Sequence, residues 1–171
     1  MWLNGEADDE AFGSGSQGRA REPENGVRGV SAVMQADERE ALTVARLREA
    51  GLRPTRQRLA LGRILFHSGD RHLTAEDIFA EAEADGAGVS LATVYNTLNQ
   101  FTAAGLLREV VVEGGRTYFD TNVSDHHHFY VQDESRLIDI EGGTVKVTGL
   151  PEAPDGTALA RVDVIVRVRK G

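Results

Sequence analysis

The sequence predicts an α+β protein: a helical module closed by a hairpin, followed by a small, mainly β module. Three observations carry that expectation. Helix-period apolar spacing runs from Asp37 to Gly105, Gly114 and Gly115 join two β-rich runs, and beyond Asp120 the period becomes that of strands. A chain of 171 residues suffices for two modest domains with limited cores.

Residues 1–36 are rich in Gly, Ser, Glu and Asp, and the stretch AFGSGSQGRAREPENG has neither helical nor strand periodicity. A disordered acidic tail is expected there. The net charge of −8 comes from 27 acids against 19 bases, and residues 1–40 alone hold nine acids and four bases. Residues 41–120 are close to neutral, and Gly51 to Phe66 contains Arg53, Arg56, Arg58 and Arg63 with no acid. Attraction to a polyanion must therefore be local. There is no cysteine, which excludes disulfides, thiolate zinc knuckles and a Cys nucleophile. The start, MWLNGEADDE, has no basic or apolar leader character, and no stretch reaches the length of a membrane span, so a cytoplasmic protein with no membrane partner is expected.

The helices follow in order. ADEREALTVARLREAG offers Asp37 as N-cap and Gly51 as stop. In RPTRQRLALGRILFH, Pro54 suits a first turn, and Leu61, Ile64 and Leu65 share a side. TAED, from Thr74 to Asp77, places a capping hydroxyl three residues before an acid. The fourth helix starts at Ser90, with Leu91, Val94, Leu98 and Phe101 on one buried face.

Its opposite face carries Thr93, Asn96 and Gln100, flanked by Tyr95 and Asn99, and no acid occurs from Gly86 to Leu107. Uncharged donors and acceptors with an aromatic suit a helix that reads base edges in a major groove. The hairpin in LLREVVVEGGRTYFD would then be a wing, with Arg116 beside its tip placed for phosphate or a minor groove. The expectation is a winged helix-turn-helix DNA-binding domain over residues 37–121, with a helical bundle and an unrelated hairpin as the bland alternative. A small α/β, mainly β, dimerisation domain is expected over 122–171. Some fifty residues bury too little apolar surface to stand alone, and the strands HHHFYV, RLIDIE and RVDVIVRVRK would pair in a homodimer or higher oligomer.

Three of the five histidines are consecutive, His126, His127 and His128. In a strand His126 and His128 share one face and His127 takes the other. Two imidazoles on one face can share a metal with Asp120, Asp139 and His72 as candidate co-ligands; a solvated loop or core histidines bonded to backbone are the alternatives. A His/Asp metal hydrolase is a rival, but no HExxH or similar motif occurs and no enzyme is expected. A haem or metal storage protein on a helix-turn-helix-like fold is another, and it would show no preference for operator DNA.

In order and spacing, GLRPTRQR, HLTAEDIF, SLATVYNTLNQFTAAGL, EGGRTYFD and the HHH run resemble the ferric uptake regulator superfamily over about residues 40–141. Within it the chain is most similar to the iron response regulators of alphaproteobacteria, which carry HHH where ferric uptake regulators carry an HDH-type pattern. The resemblance implies DNA contacts by Arg56, Thr93, Tyr95, Asn96 and Arg116, and an interdomain site for Mn, Fe or Zn at His72, Asp120, His126, His128 and Asp139. It implies haem binding at His126, His127 and His128, with His127 the natural axial ligand. The implied function is an iron- and haem-responsive regulator that binds AT-rich double-stranded operator DNA as a dimer under iron limitation and is released by haem. A metal-corepressed or manganese-responsive repressor without haem sensing is the alternative. Asn96 stands where the superfamily usually has a base, and two ligand positions are Asp where Glu is common. With no Cys and no His after His128, the cysteine-pair zinc site, the Cys-Pro haem motif and the usual C-terminal histidine ligand are missing.

Overall fold

The computed structural model describes residues 27–171. Helices α1 (Val27–Glu49), α2 (Arg56–Phe66), α3 (Ala75–Ala84) and α4 (Leu91–Ala103) precede a hairpin of β2 (Arg108–Val111) and β3 (Thr117–Asp120). A two-residue strand, β1 (His72–Leu73), pairs antiparallel with β3, giving a sheet of order β1-β3-β2. The second sheet has β4 (His127–Val131) between β5 (Arg136–Ile140), antiparallel, and β6 (Ile165–Val168), parallel. Helices plus a small sheet is the predicted α+β class.

Helix ends follow the local chemistry. Thr55, Thr74 and Ser90 each accept a backbone N–H from the first turn of the helix they precede, and Asp77 closes a capping box on Thr74. Gly51, at a φ of 74°, terminates α1, with Leu52 N–H returning to the Leu47 carbonyl. Two expectations are corrected. Helix α1 begins at Val27, so Asp37 lies inside it and caps nothing. Pro54 sits before the cap rather than in the first turn of α2, because the Thr55 hydroxyl takes the capping role. Of the expected tail, residues 1–26 lie outside the described residues.

The main core is helical. Leu47, Leu61, Leu65, Ile78, Val94, Leu98 and Phe101 are buried together with Phe119 of β3. The fourth helix buries the face read from its spacing, although Leu91 is only partly covered. A second apolar cluster joins the sheets: Val110, Val112 and Tyr118 pack on Tyr130 and Leu137, with Ile165 against them. This contact sets the hairpin against the second sheet. The hairpin turn places Gly114 and Gly115 at φ of 76° and 75°, a backbone that other residues rarely adopt.

The last strand is shorter than the alternation in RVDVIVRVRK predicts. Only Ile165–Val168 is extended in register, because β4 starts at His127 and Ile165 already pairs with His128, so earlier residues have almost no partner strand. Among the described residues no helix is long and apolar enough to cross a membrane.

Helices α1 and α2 touch through Gly62, where a Cβ would come within 2.6 Å of Thr43 Cγ2, itself fully buried. Gly62→Val should therefore lose at least about 2 kcal/mol of stability through overpacking. Urea unfolding measures it; an unchanged midpoint would mean that this close approach is absent.

Candidate metal centre and nucleic-acid face

Strand register builds the centre. His72 of β1 lies opposite Asp120 of β3, and His128 of β4 lies opposite Asp139 of β5. Opposed residues on antiparallel strands project to the same face with Cβ atoms about 5 Å apart. The two pairs, one from each sheet, face one another, and His126 joins them from two residues before His128. All five residues predicted as ligands thus converge, and one donor atom from each lies within 4.8 Å of all the others.

Asp120 Oδ2 is 3.0 Å from His126 Nε2, 3.3 Å from His128 Nε2 and 3.6 Å from His72 Nε2. Asp139 Oδ1 is 2.8 Å from His72 Nε2 and 3.3 Å from His126 Nε2. The remaining carboxylate oxygens are occupied by Asn122, whose backbone N–H donates to Asp120 Oδ1 at 2.8 Å and whose Nδ2 donates to Asp139 Oδ2 at 3.2 Å. One oxygen of each aspartate is therefore left toward the imidazoles. Asp120 and His128 are almost wholly buried.

Burial alone would raise the Asp120 carboxyl, but the His128 and His72 imidazoles and the Asn122 N–H override it and hold it well below the usual range. For His72, burial opposes the charge, while Asp120 and Asp139 outweigh it and raise the imidazole above its ordinary 6.5. Two atoms betray the shape of the site: His72 Nε2 and Asp139 Oδ1 are buried, only 2.8 Å apart, and yet without a hydrogen bond. Each lies within 4.8 Å of the other donor atoms of the cluster. Three imidazole nitrogens and two carboxylate oxygens suit a borderline divalent ion, and the two negative charges would balance its two positive ones.

The three consecutive histidines are not brought onto one face. His126 and His128 point into this cluster, whereas His127 points away, partly exposed, its Nδ1 accepting the Val164 N–H at 3.4 Å. The cavity beside His126 and His127 is about 250 Å³, below the usual range for organic ligands.

The residues predicted to meet DNA lie on the exposed side of α2, α4 and the hairpin. Arg56 opens α2 and is exposed; Thr93 bonds the Ser90 hydroxyl; Asn96 is exposed; Arg116 follows the Gly-Gly turn. Tyr95 and Arg116 line one open cleft of about 800 Å³. Three contacts here escaped the sequence reading. Tyr95 donates to Glu76 at 2.8 Å, and Arg58 bonds Gln100 Oε1 through Nε and Nη2, at 3.1 and 2.8 Å, while also reaching the Arg53 carbonyl. Glu76 was hidden by its place in a capping segment, where an acid needs no other explanation.

Below its raised pKa, His72 must lose a proton before it can hold a metal at this cluster. Because that imidazole is raised, it stays protonated at pH values where an ordinary histidine is neutral, so metal affinity should fall as pH drops, beginning above 6.5. Below that point the loss is roughly tenfold per pH unit for each proton displaced. His72→Ala should weaken binding and flatten this slope by about one proton. Chelator competition with Zn²⁺ or Mn²⁺ at several pH values checks both; a slope unchanged in the variant would remove His72 from the ligand set.

Comparison with known proteins agrees with this architecture. The chain is 33% identical over 99 residues to the peroxide-responsive repressor PerR of Staphylococcus aureus, an alignment covering 58% of this chain and 66% of the relative, just short of two thirds of its length. It resembles the manganese-containing structure of the ferric uptake regulator from Pseudomonas aeruginosa, with 28% identity and a TM-score of 0.57 over 75% of this chain and 97% of that one. The Vibrio cholerae ferric uptake regulator gives a TM-score of 0.58 at 23% identity, over 74% and 98% of the two chains, a likeness of fold. Residues 49–153 match the ferric uptake regulator family as a whole, so the chain belongs to that family.

Proposed function

We propose that the protein is a metal-responsive transcriptional regulator that binds operator DNA as a homodimer and is not an enzyme. The observation that carries this reading is the five-donor cluster shared between the hairpin sheet and the second sheet. His72 and Asp120 from one side and His126, His128 and Asp139 from the other would hold Mn, Fe or Zn. The bound dication would neutralise the two carboxylates and tie the sheets together. Residues of the chain do the rest. Asn122 orients both carboxylates, and Phe119, next to Asp120 in β3, anchors that strand in the helical core. The orientation of α4 relative to the second sheet would thus depend on whether the cluster is held closed. The similarity to PerR and to a manganese-containing ferric uptake regulator supports a metal-responsive role.

Dimerisation is supported by the outer face of the second sheet. Phe129 and Ile138 are register partners there, each more than a third exposed, beside the partly covered Val131, Val166 and Val168. Pairing two copies through this sheet would present two α4 helices and two hairpins to DNA. Thr93, Asn96 and Gln100 favour AT-rich sequence, since Asn and Gln pair with adenine edges and a threonine methyl packs on that of thymine.

The haem reading at His126, His127 and His128 has less support. Two of the three imidazoles are committed to the cluster, and only His127 is turned outward. The metal-responsive alternative is therefore preferred to an iron response regulator sensing haem.

Fluorescence anisotropy on an AT-rich operator and a random duplex, at stated salt, with Mn²⁺ or chelator, tests the reading. Metal should tighten operator binding, and Asp120→Asn should abolish that gain. Tyr95→Phe should cost roughly 5- to 100-fold in operator affinity while leaving metal affinity unchanged. Equal affinity for both duplexes would sink the DNA assignment, and indifference to chelator would sink the metal one. A haem Soret shift lost in His127→Ala would restore haem sensing.

A further inference from the structure

Arg108 opens β2 with its side chain only 3% exposed, and a guanidinium so deeply buried must be paired. Its Nη2 donates to Asp163, which stands just before β6 and also receives Arg161 Nε at 2.9 Å. Its Nη1 donates to the Ser124 carbonyl at 3.3 Å and lies 3.2 Å from His126 Nδ1. Its Nε is buried without a hydrogen bond.

His126 Nδ1 is thus approached by a guanidinium N–H and, at 3.0 Å, by the Ser124 carbonyl oxygen. One ring nitrogen of a neutral imidazole is either acceptor or donor. As an acceptor Nδ1 satisfies Arg108 and leaves the ring proton on Nε2, turned toward Asp120. As a donor it satisfies Ser124 and frees the Nε2 lone pair for a metal. Metal-binding imidazoles ordinarily lean on an acceptor, which fixes the second arrangement. Here the acceptor has a rival that can only donate, and that rival carries a positive charge.

We propose that Arg108 is a positioning residue that opposes metal binding at His126: its guanidinium favours the arrangement of that imidazole with no free Nε2 lone pair, and Asp163 restrains it by drawing the charge toward β6. The two residues set the concentration of metal at which the cluster fills. Filling it shifts Arg108 from His126 toward Asp163 and Ser124, linking β2 to the segment before β6. This rests on the metal-binding reading above.

The test measures Zn²⁺ and Mn²⁺ affinity by chelator competition in the full chain, together with the ring proton of His126 by long-range ¹H–¹⁵N NMR without metal. Arg108→Met, of similar length but with neither donor nor charge, should tighten binding by about tenfold and move the proton from Nε2 to Nδ1. Arg108→Lys, which keeps charge and donor, should return both toward the parent values. Asp163→Asn should weaken binding, and the double variant with Arg108→Met should tighten it again. A role confined to holding the fold would make the Arg108→Met and Asp163→Asn changes weaken binding alike, and that result overturns the proposal, as does an Arg108→Met affinity no tighter than the parent's. If Arg108→Met does not fold, Asp163→Asn and the parent's His126 ring proton decide together: weaker binding with that proton on Nε2 supports the proposal, and unchanged or tighter binding, or a proton on Nδ1, overturns it. A parent protein that binds neither ion overturns the metal reading and this inference with it; a parent that binds while Arg108→Met fails to tighten overturns this inference only.

Discussion

Two carboxylates on facing sheets, Asp120 wholly buried and Asp139 partly covered, are the constraint around which the joint is organised. An isolated buried carboxylate is untenable, and each is therefore surrounded by groups that favour its charged form. Asp120 is met by His72, His126, His128 and the Asn122 N–H; Asp139 is met by the imidazoles and by the Asn122 amide. These partners do not all come from one element. Compensating these charges requires β1, β3, β4 and β5 to lie close together, and the apolar contact of Tyr118 with Tyr130 and Leu137 seals the joint beside them.

The same joint separates two kinds of surface. Inside it, polar groups are buried and directed. Outside it, the α4 face presents Thr93, Tyr95, Asn96 and Gln100 with little charge of its own, but with Glu76 and Arg58 holding two of these side chains from neighbouring helices. A surface whose side chains are held in advance loses less rotamer freedom on meeting a partner. Glu76 brings a negative charge to that surface, which general attraction to a polyanion would disfavour. Its presence fits a role in orienting the Tyr95 hydroxyl.

Much of this was legible before any coordinates. The alternation of His126, His127 and His128 follows from strand geometry alone, and the helix caps at Thr74 and Ser90 follow from hydroxyl placement. The candidate ligands were gathered by resemblance together with the scarcity of histidines, and the strand register of His72 with Asp120 and His128 with Asp139 accounts for why those residues meet. What escaped were residues whose role depends on a partner far away in sequence. Asn122 looks like an ordinary loop residue, Arg58 like one of several arginines, and Arg108 like a polar start to a strand, because local patterns carry no record of contacts 42 or 55 positions away. The start of α1 was misplaced for the opposite reason: Asp37 is a good cap locally, and nothing nearby marks that the helix has already begun. The length of β6 was overestimated because alternation reports a strand's face and not whether a neighbour exists to pair with it.

The segment between β3 and β4 is short, running only from Thr121 to His126. Fully extended, it spans on the order of 20 Å, and it already carries one donor and one bridging amide of the cluster. If the two halves part, their donors remain tethered within that radius, at an effective concentration in the millimolar range or above. Reassembly is then a unimolecular event whose rate does not depend on protein abundance, which lets such a joint open and reclose many times within the life of one molecule.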